Sequence, residues 1–218
     1  MGRPLPFVQA ARAAALAALG VLLALAGAGC HRDGCVGGDD GSCLPPSACA
    51  ALSYPLCAAP KLRVAQIGDG DAERVPGPKA LAAVGDYVLE NDLVRVVIDA
   101  PEHPHFLAPS GGAILDLAPL SATFGDQTNA IYHAAGVLPR DAVHYETASI
   151  LDPGSDPAAP GAAAAVIVRG HLEGDSRVTV VTRYEVRPCE PGVRVRTDVY
   201  NGAPNANTLY LTDGFFWG

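Results

Sequence analysis

Lysine is nearly missing from this 218-residue chain, where Lys61 and Lys79 stand beside 13 arginines. Charged residues make up only 17%, and the formal net charge is −8. That acidic balance excludes bulk nucleic-acid binding, which depends on Lys and Arg neutralising phosphates. Aromatic residues are also few, at 6%, so any core must rest on aliphatic side chains. No convincing amphipathic helix occurs after the first thirty residues or so, which excludes a helical bundle. The chain equally lacks a long membrane span. Its one uncharged run, residues 13–29, is rich in Ala and Gly and falls short of the ~20 apolar residues that cross a bilayer. With 49% hydrophobic residues, the sequence is not that of a disordered polymer either.

What is present begins with an address. Residues 1–29 contain Arg3 and Arg12 but no acid, then an apolar stretch, then Gly27-Ala28-Gly29 before Cys30. These are the three regions of an export signal peptide. Small residues directly before a Cys resemble the lipobox of bacterial lipoproteins, which implies a lipid on Cys30 and attachment to a membrane. Gly27 stands where that family prefers Leu, so ordinary cleavage near Gly29 is the alternative. Loss of the leader removes two arginines and takes the net charge from −8 to −10. The expected location is the bacterial cell surface, outer membrane or periplasm.

Five of the six cysteines crowd into residues 30–57: Cys30, Cys35, Cys43, Cys49 and Cys57. Gly, Pro and Asp separate them without apolar periodicity, as in a tether (residues 30–61) stapled by disulfides in an oxidising compartment. Cys35, Cys43, Cys49 and Cys57 suffice for two bridges. If Cys30 is lipidated, Cys189 is left without a partner in the chain; if not, three bridges are possible. No paired C-x2-C spacing supports zinc.

From Leu62 to Gly218 the pattern is that of an all-β antiparallel sandwich. Val178, Val180, Thr182, Tyr184 and Val186 alternate with Arg177, Thr179, Arg183, Glu185 and Arg187. Val193, Val195, Thr197 and Val199 alternate with Arg194, Arg196 and Asp198. A four-residue connection at 189–192 places Glu185 opposite Arg196 and Arg183 opposite Asp198, with Cys189 on an exposed tip. A six-residue connection sets Arg183 against Arg196, so the shorter one is expected. Further strands are expected at 86–89, 93–98, 113–117, 165–169 and 208–211, with Val94, Val96 and Ile98 facing the core and 152–163 as a surface loop.

The run Leu89-Glu-Asn-Asp-Leu-Val-Arg-Val-Val-Ile98, followed by Gly111-Gly-Ala-Ile-Leu-Asp116, resembles the opening strands of the β-supersandwich found in galactose mutarotases. Thr182–Val186, Val199-Tyr200-Asn201 and Leu211–Phe216 follow the order of its later segments. The closest likeness is to the N-terminal region of large secreted lipoproteins of myxobacteria, some of which carry a downstream metallohydrolase domain. The resemblance implies a half-supersandwich over residues 80–218. It also implies an accessory domain at the front of a longer secreted protein. In mutarotases a His after a Leu-Thr-Asn stretch protonates the ring oxygen; here Gly214 holds that position and Asp213 replaces the Asn. The family's catalytic Glu lies beyond the equivalent of Gly218. The likeness therefore implies the fold without the epimerase chemistry.

Two constellations remain. Asp99, Glu102, His103 and His105 form the densest set of metal-capable side chains, with His103 and His105 on one side of an extended segment. A Pro-bounded polar loop is the plainer account. Arg177, Arg183, Arg187, Arg194 and Arg196 share one strand face and offer a site for an anionic polysaccharide or lipid head group. Pairing with Glu185 and Asp198 explains them without a ligand. No nucleophile motif, calcium loop or cofactor motif is complete. The sequence reads as a non-catalytic, exported binding or structural domain that needs no cofactor.

Overall fold

A computed structural model describes the protein from Tyr54 to Trp217, apart from residues 56, 70–74, 76, 78–79, 106–107, 123–127, 136–140, 155, 160, 206–208 and 210. Residues 1–53, and with them the leader, Cys30, Cys35, Cys43 and Cys49, lie outside the described residues. The compact unit spans Tyr54–Gly218.

Among the described residues ten strands follow one another: β1 (Leu62–Gln66), β2 (Tyr87–Asn91), β3 (Val94–Ile98), β4 (Ile114–Pro119), β5 (Thr128–Ala135), β6 (Val143–Leu151), β7 (Ala164–Leu172), β8 (Asp175–Val186), β9 (Arg194–Asn201) and β10 (Leu211–Trp217). They form a six-stranded sheet in the order β1-β2-β3-β4-β5-β10 and a four-stranded sheet in the order β6-β7-β8-β9. All the pairings are antiparallel. The all-β sandwich expected from the alternating patterns is what the chain adopts.

The core lies between the sheets. Leu89, Val94, Val96, Ile98 and Ile114 from one meet Val143, Tyr145, Val166, Val168, Val178, Val180, Tyr184 and Val186 from the other. The faces expected of β3 and β8 are correct: Val178, Val180, Thr182, Tyr184 and Val186 are all fully buried. Burying each such side chain contributes ~1.5–3 kcal/mol. Three hydroxyls inside this layer are satisfied locally. Tyr145 and Thr182 share a 2.6 Å hydrogen bond, and Tyr184 donates to the Gly112 carbonyl at 2.7 Å. The six-stranded sheet buries its other face too, with Val88, Val97, Leu115 and Ala118 packed under Ile67, Val75 and Ala82. That second cover explains why β3 is a nearly continuous apolar run.

Two glycines let backbone segments approach where a side chain cannot fit. A Cβ on Gly111 would lie 1.7 Å from the Ala100 carbonyl oxygen, and one on Gly170 would lie 1.8 Å from that of His144. Gly170 sits opposite a β-bulge, where the β6–β7 register shifts between Tyr145 and Thr147 and Glu146 is the extra residue.

The β8–β9 register is not the expected one. Arg183 pairs with Arg196, Tyr184 with Val195 and Glu185 with Arg194, the register of the longer, six-residue connection. Cross-strand charge pairing does not decide it, because each charge is satisfied along its own strand or in the connection. Arg183 and Arg187 both bind Glu185, Arg196 binds Asp198, and Arg194 binds Glu190. The connection is instead fixed by the β2–β3 turn. Buried Asn91 donates from its amide to the carbonyls of Arg187 and Glu190, at 2.7 and 2.8 Å, while its side-chain oxygen accepts from Leu93 and Val94.

Disulfide formation by Cys57 and Cys189 is as expected, but their pairing and the exposure of Cys189 are corrected. Cys189 is 7% exposed rather than on an open tip, and it forms a disulfide with Cys57 across 132 positions of sequence. The two Cα atoms are 5.5 Å apart. Asp92 accepts from the Cys189 N–H at 2.9 Å, which holds Cys189 in a left-handed conformation (φ 64°) that non-glycine residues rarely adopt. Cys57 is therefore not available to Cys35, Cys43 or Cys49, and Cys189 needs no partner outside the chain. Of the strand expected at 208–211, Leu211 opens β10, while Thr208 and Tyr210 lie outside the described residues. Residues 152–163 do connect β6 and β7 as expected, and are mostly exposed.

Candidate functional site

The Asp99 cluster forms where β3 leaves the sheet. Two acids, Asp86 and Asp99, are completely buried there. Asp86 accepts from the backbone N–H groups of Ala83 (2.7 Å) and Ala100 (2.8 Å), and one of its oxygens lies 3.0 Å from His103 Nδ1. Asp99 accepts from the Ala113 N–H at 2.5 Å and lies 3.3 Å from His105 Nδ1. The two histidines thus turn to different carboxylates instead of converging. Burial pushes the Asp99 carboxyl up to about 6, against the opposing pull of the His105 and Ala113 hydrogen bonds. His105 is raised mainly by its bond to Asp99. Each acid ties a loop to the strand next to it, so this cluster acts as a brace.

Among the described residues, the one group of three metal-capable side chains whose ligand atoms lie within 4.8 Å of one another is Cys57, Asp92 and Cys189. Its two sulfurs are joined to each other, and a disulfide supplies no thiolate to a metal. Asp99, His103 and His105 form no such group. Ser110 is likewise structural: its hydroxyl accepts from the Tyr145 N–H at 2.7 Å and donates to the Gly111 carbonyl. Gly214 and Asp213 lie on β10 opposite Tyr132 and His133.

The arginine face is the more open feature. Arg183, Arg187, Arg194 and Arg196, with Glu185 at the floor, line a shallow depression of about 380 Å³ on the outer side of the four-stranded sheet. Alternation on β8 and β9 puts Arg183, Arg194 and Arg196 on this side, and Arg187 follows one residue beyond β8. Arg187 and Arg183 share the single Glu185 carboxylate, with contacts of 2.5 and 2.6 Å. Burial pushes the Glu185 carboxyl up, but the hydrogen bonds and charges of these two arginines outweigh it and hold the group below its usual value. Among the described residues, these four cations are paired with Glu185, Glu190 and Asp198. Arg177, expected in the same set, stands apart. It is six residues, or ~20 Å of strand, from Arg183 and clamps Asp175 with two hydrogen bonds of 2.8 Å.

What sequence reasoning missed was on the same sheet face. His144 and His171, read singly, are directly opposed across β6 and β7. The signal was a repeated tripeptide, His144-Tyr-Glu146 and His171-Leu-Glu173, on segments that pair. No family model, curated protein or solved structure matches this chain.

Proposed function

We propose that the protein is an exported bacterial envelope protein, lipid-anchored through Cys30, whose β-sandwich is a non-catalytic module binding an anionic polysaccharide. The observation that carries the binding reading is the four-arginine depression, a locally basic surface on a chain of net charge −8. A flat sheet face with guanidinium groups spaced along two strands suits an extended chain of carboxylates or sulfates better than a compact ligand. Arginine's planar fork binds such groups in bidentate fashion and is less strongly hydrated than lysine's ammonium. The leader and the small residues before Cys30 support export and anchoring. The half-supersandwich likeness supports a fold used here for binding, with Gly214 where the mutarotase acid would stand.

The test is binding of the mature chain to heparin and polygalacturonate by calorimetry, in low and moderate salt. Saturable binding should weaken steeply with salt, as counterions return to the polymer. Arg183→Ser with Arg196→Ser should weaken it about tenfold or more, the size of one or two charge-assisted contacts. Binding only to anionic vesicles, or equal polymer binding by the double variant, would overturn the polysaccharide assignment. Fatty-acid labelling that persists in Cys30→Ser would overturn the anchor.

A further inference from the structure

We infer that two copies of this chain join edge to edge through β9, in antiparallel register about a two-fold axis at Thr197. β9 is the last strand of its sheet, and an edge presents alternate backbone N–H and C=O groups to whatever lies beyond it. Proteins blunt such edges with short strands, bulges, prolines or lysines. Among the described edge strands, β6 and β10 carry register shifts and β1 is only five residues long. β9 has eight residues in unbroken register with β8, none of them Pro, Gly or Lys. No residue of β9 is buried. Its inner side chains reach the margin of the core, with Val195 opposite Tyr184, Thr197 opposite Thr182 and Val199 opposite Val180. Yet Val195 remains 43% exposed, and Tyr200 on the outer side is 59% exposed.

The order of side chains along β9 fits a second copy of itself. In an antiparallel pair centred on Thr197, Arg196 opposes the partner's Asp198, Val195 the partner's Val199, and Arg194 the partner's Tyr200. The two-fold axis makes each of these contacts twice. Opposite charges, apolar pairs and a guanidinium beside an aromatic ring each favour cross-strand pairing. Both exposed hydrophobic side chains of the strand thereby gain a neighbour. Nearby registers are worse. An axis at Arg196 sets that arginine against its own copy, and one at Asp198 does the same with the carboxylate. An axis at Val195 opposes Arg194 to Arg196 twice. A slip by a single residue puts inner side chains opposite outer ones, which the pleat forbids. The β8–β9 register gives Arg196 a reason to take a second carboxylate. It lies opposite Arg183, a like charge, and its ion pair is with Asp198 on its own strand. Its side chain is 75% exposed and can reach across the edge. Two arginines and two aspartates then alternate around the axis. The joined sheet has eight strands and carries both arginine depressions on one side. The pairing does not depend on what those depressions bind.

The test is sedimentation of the oxidised mature chain, without polymer, carrying Cys30→Ser so that no lipid drives association. It should show a reversible monomer–dimer equilibrium with a dissociation constant of about 10–100 μM, as suits a narrow interface. Arg196→Asp and Asp198→Arg should each weaken the dimer about tenfold or more, since two attractive pairs become repulsive. An equimolar mixture of the two variants should form a heterodimer of near wild-type affinity, because every opposed pair is again of opposite sign. Within each variant strand, positions 196 and 198 still carry like charges, so only pairing between chains can restore the affinity. Amide exchange in residues 194–201 should slow as protein concentration rises, while that of β1 and β6 stays unchanged. Unfolding midpoints of the dilute variants should match wild type, as these unburied positions allow. A chain that stays monomeric at ~500 μM, or a mixture that associates no more tightly than either variant alone, would overturn the assignment.

Discussion

Replacing Asp99 by Asn probes the buried acid at the end of β3. The Asp99 carboxyl goes from 3.8 to about 6 on folding, chiefly because burial penalises its charge. The folded state therefore binds that proton more tightly than the unfolded chain. The stability this contributes is complete below the unfolded value and is lost as pH rises through about 6. A rise of about two pH units, at ~1.4 kcal/mol for each, corresponds to ~3 kcal/mol across that window. His105, raised by its bond to Asp99, works in the same direction, since its contribution is present below its ordinary value and fades above the raised one. Glu185, held low by its arginines, works in the opposite direction, losing stability as the solution becomes acid. The difference between wild type and variant cancels the Glu185 contribution, whereas that of His105 comes from Asp99 and is removed with it. In Asp99→Asn the side-chain amide oxygen can still accept from the Ala113 N–H but carries no charge into the core. Denaturant unfolding of the disulfide-intact chain from pH 4.5 to 8 is the assay. Asp99→Asn should flatten the decline between pH 4.5 and 7 and be more stable than wild type at pH 7.5 by up to ~3 kcal/mol. For a domain of this size that corresponds to an unfolding midpoint higher by ~6–12 °C. A variant profile parallel to wild type, or a loss of more than ~1 kcal/mol at pH 7.5, would refute the assignment of a strained buried charge.

Two other predictions concern the joint between the β2–β3 turn and the β8–β9 connection. Cys57→Ser with Cys189→Ser opens a loop of 132 positions and should cost about 5 kcal/mol by chain entropy, an upper bound checked by the denaturation midpoint with and without reductant. Asn91→Ala removes two amide donors and an oxygen that serves two backbone N–H groups, all in a buried position, and should cost ~3 kcal/mol or more in the same assay. Exchange of the amide hydrogens in residues 187–192 should accelerate in Asn91→Ala before that of β7; uniform acceleration would mean that Asn91 serves the whole fold rather than this connection.

What the sequence determined by itself was which side of a strand faces inward. Alternation is a local property, and the solvent penalises any other orientation, so the inward faces of Val178, Val180, Tyr184 and Val186 and of Val94, Val96 and Ile98 were legible, while burial of Val97 under the second cover was not. Strands lacking that contrast were not: β1 is half-buried along most of its length, and the last residues of β6 are nearly all exposed. Pairing and register lay beyond the sequence because they are settled by distant contacts. Glu185, Glu190 and Asp198 satisfy their arginines in either register, so the choice fell to Asn91 and the Cys57–Cys189 bridge, residues about a hundred positions or more from what they hold. The candidate sites divide in the same way. The arginine face follows from alternation on two neighbouring strands and could be read directly, except for Arg177, whose distance along β8 only the folded sheet made plain. The His144–His171 stack exists only once β6 and β7 are in register, because strand pairing alone brings two positions so far apart in sequence within a few ångströms.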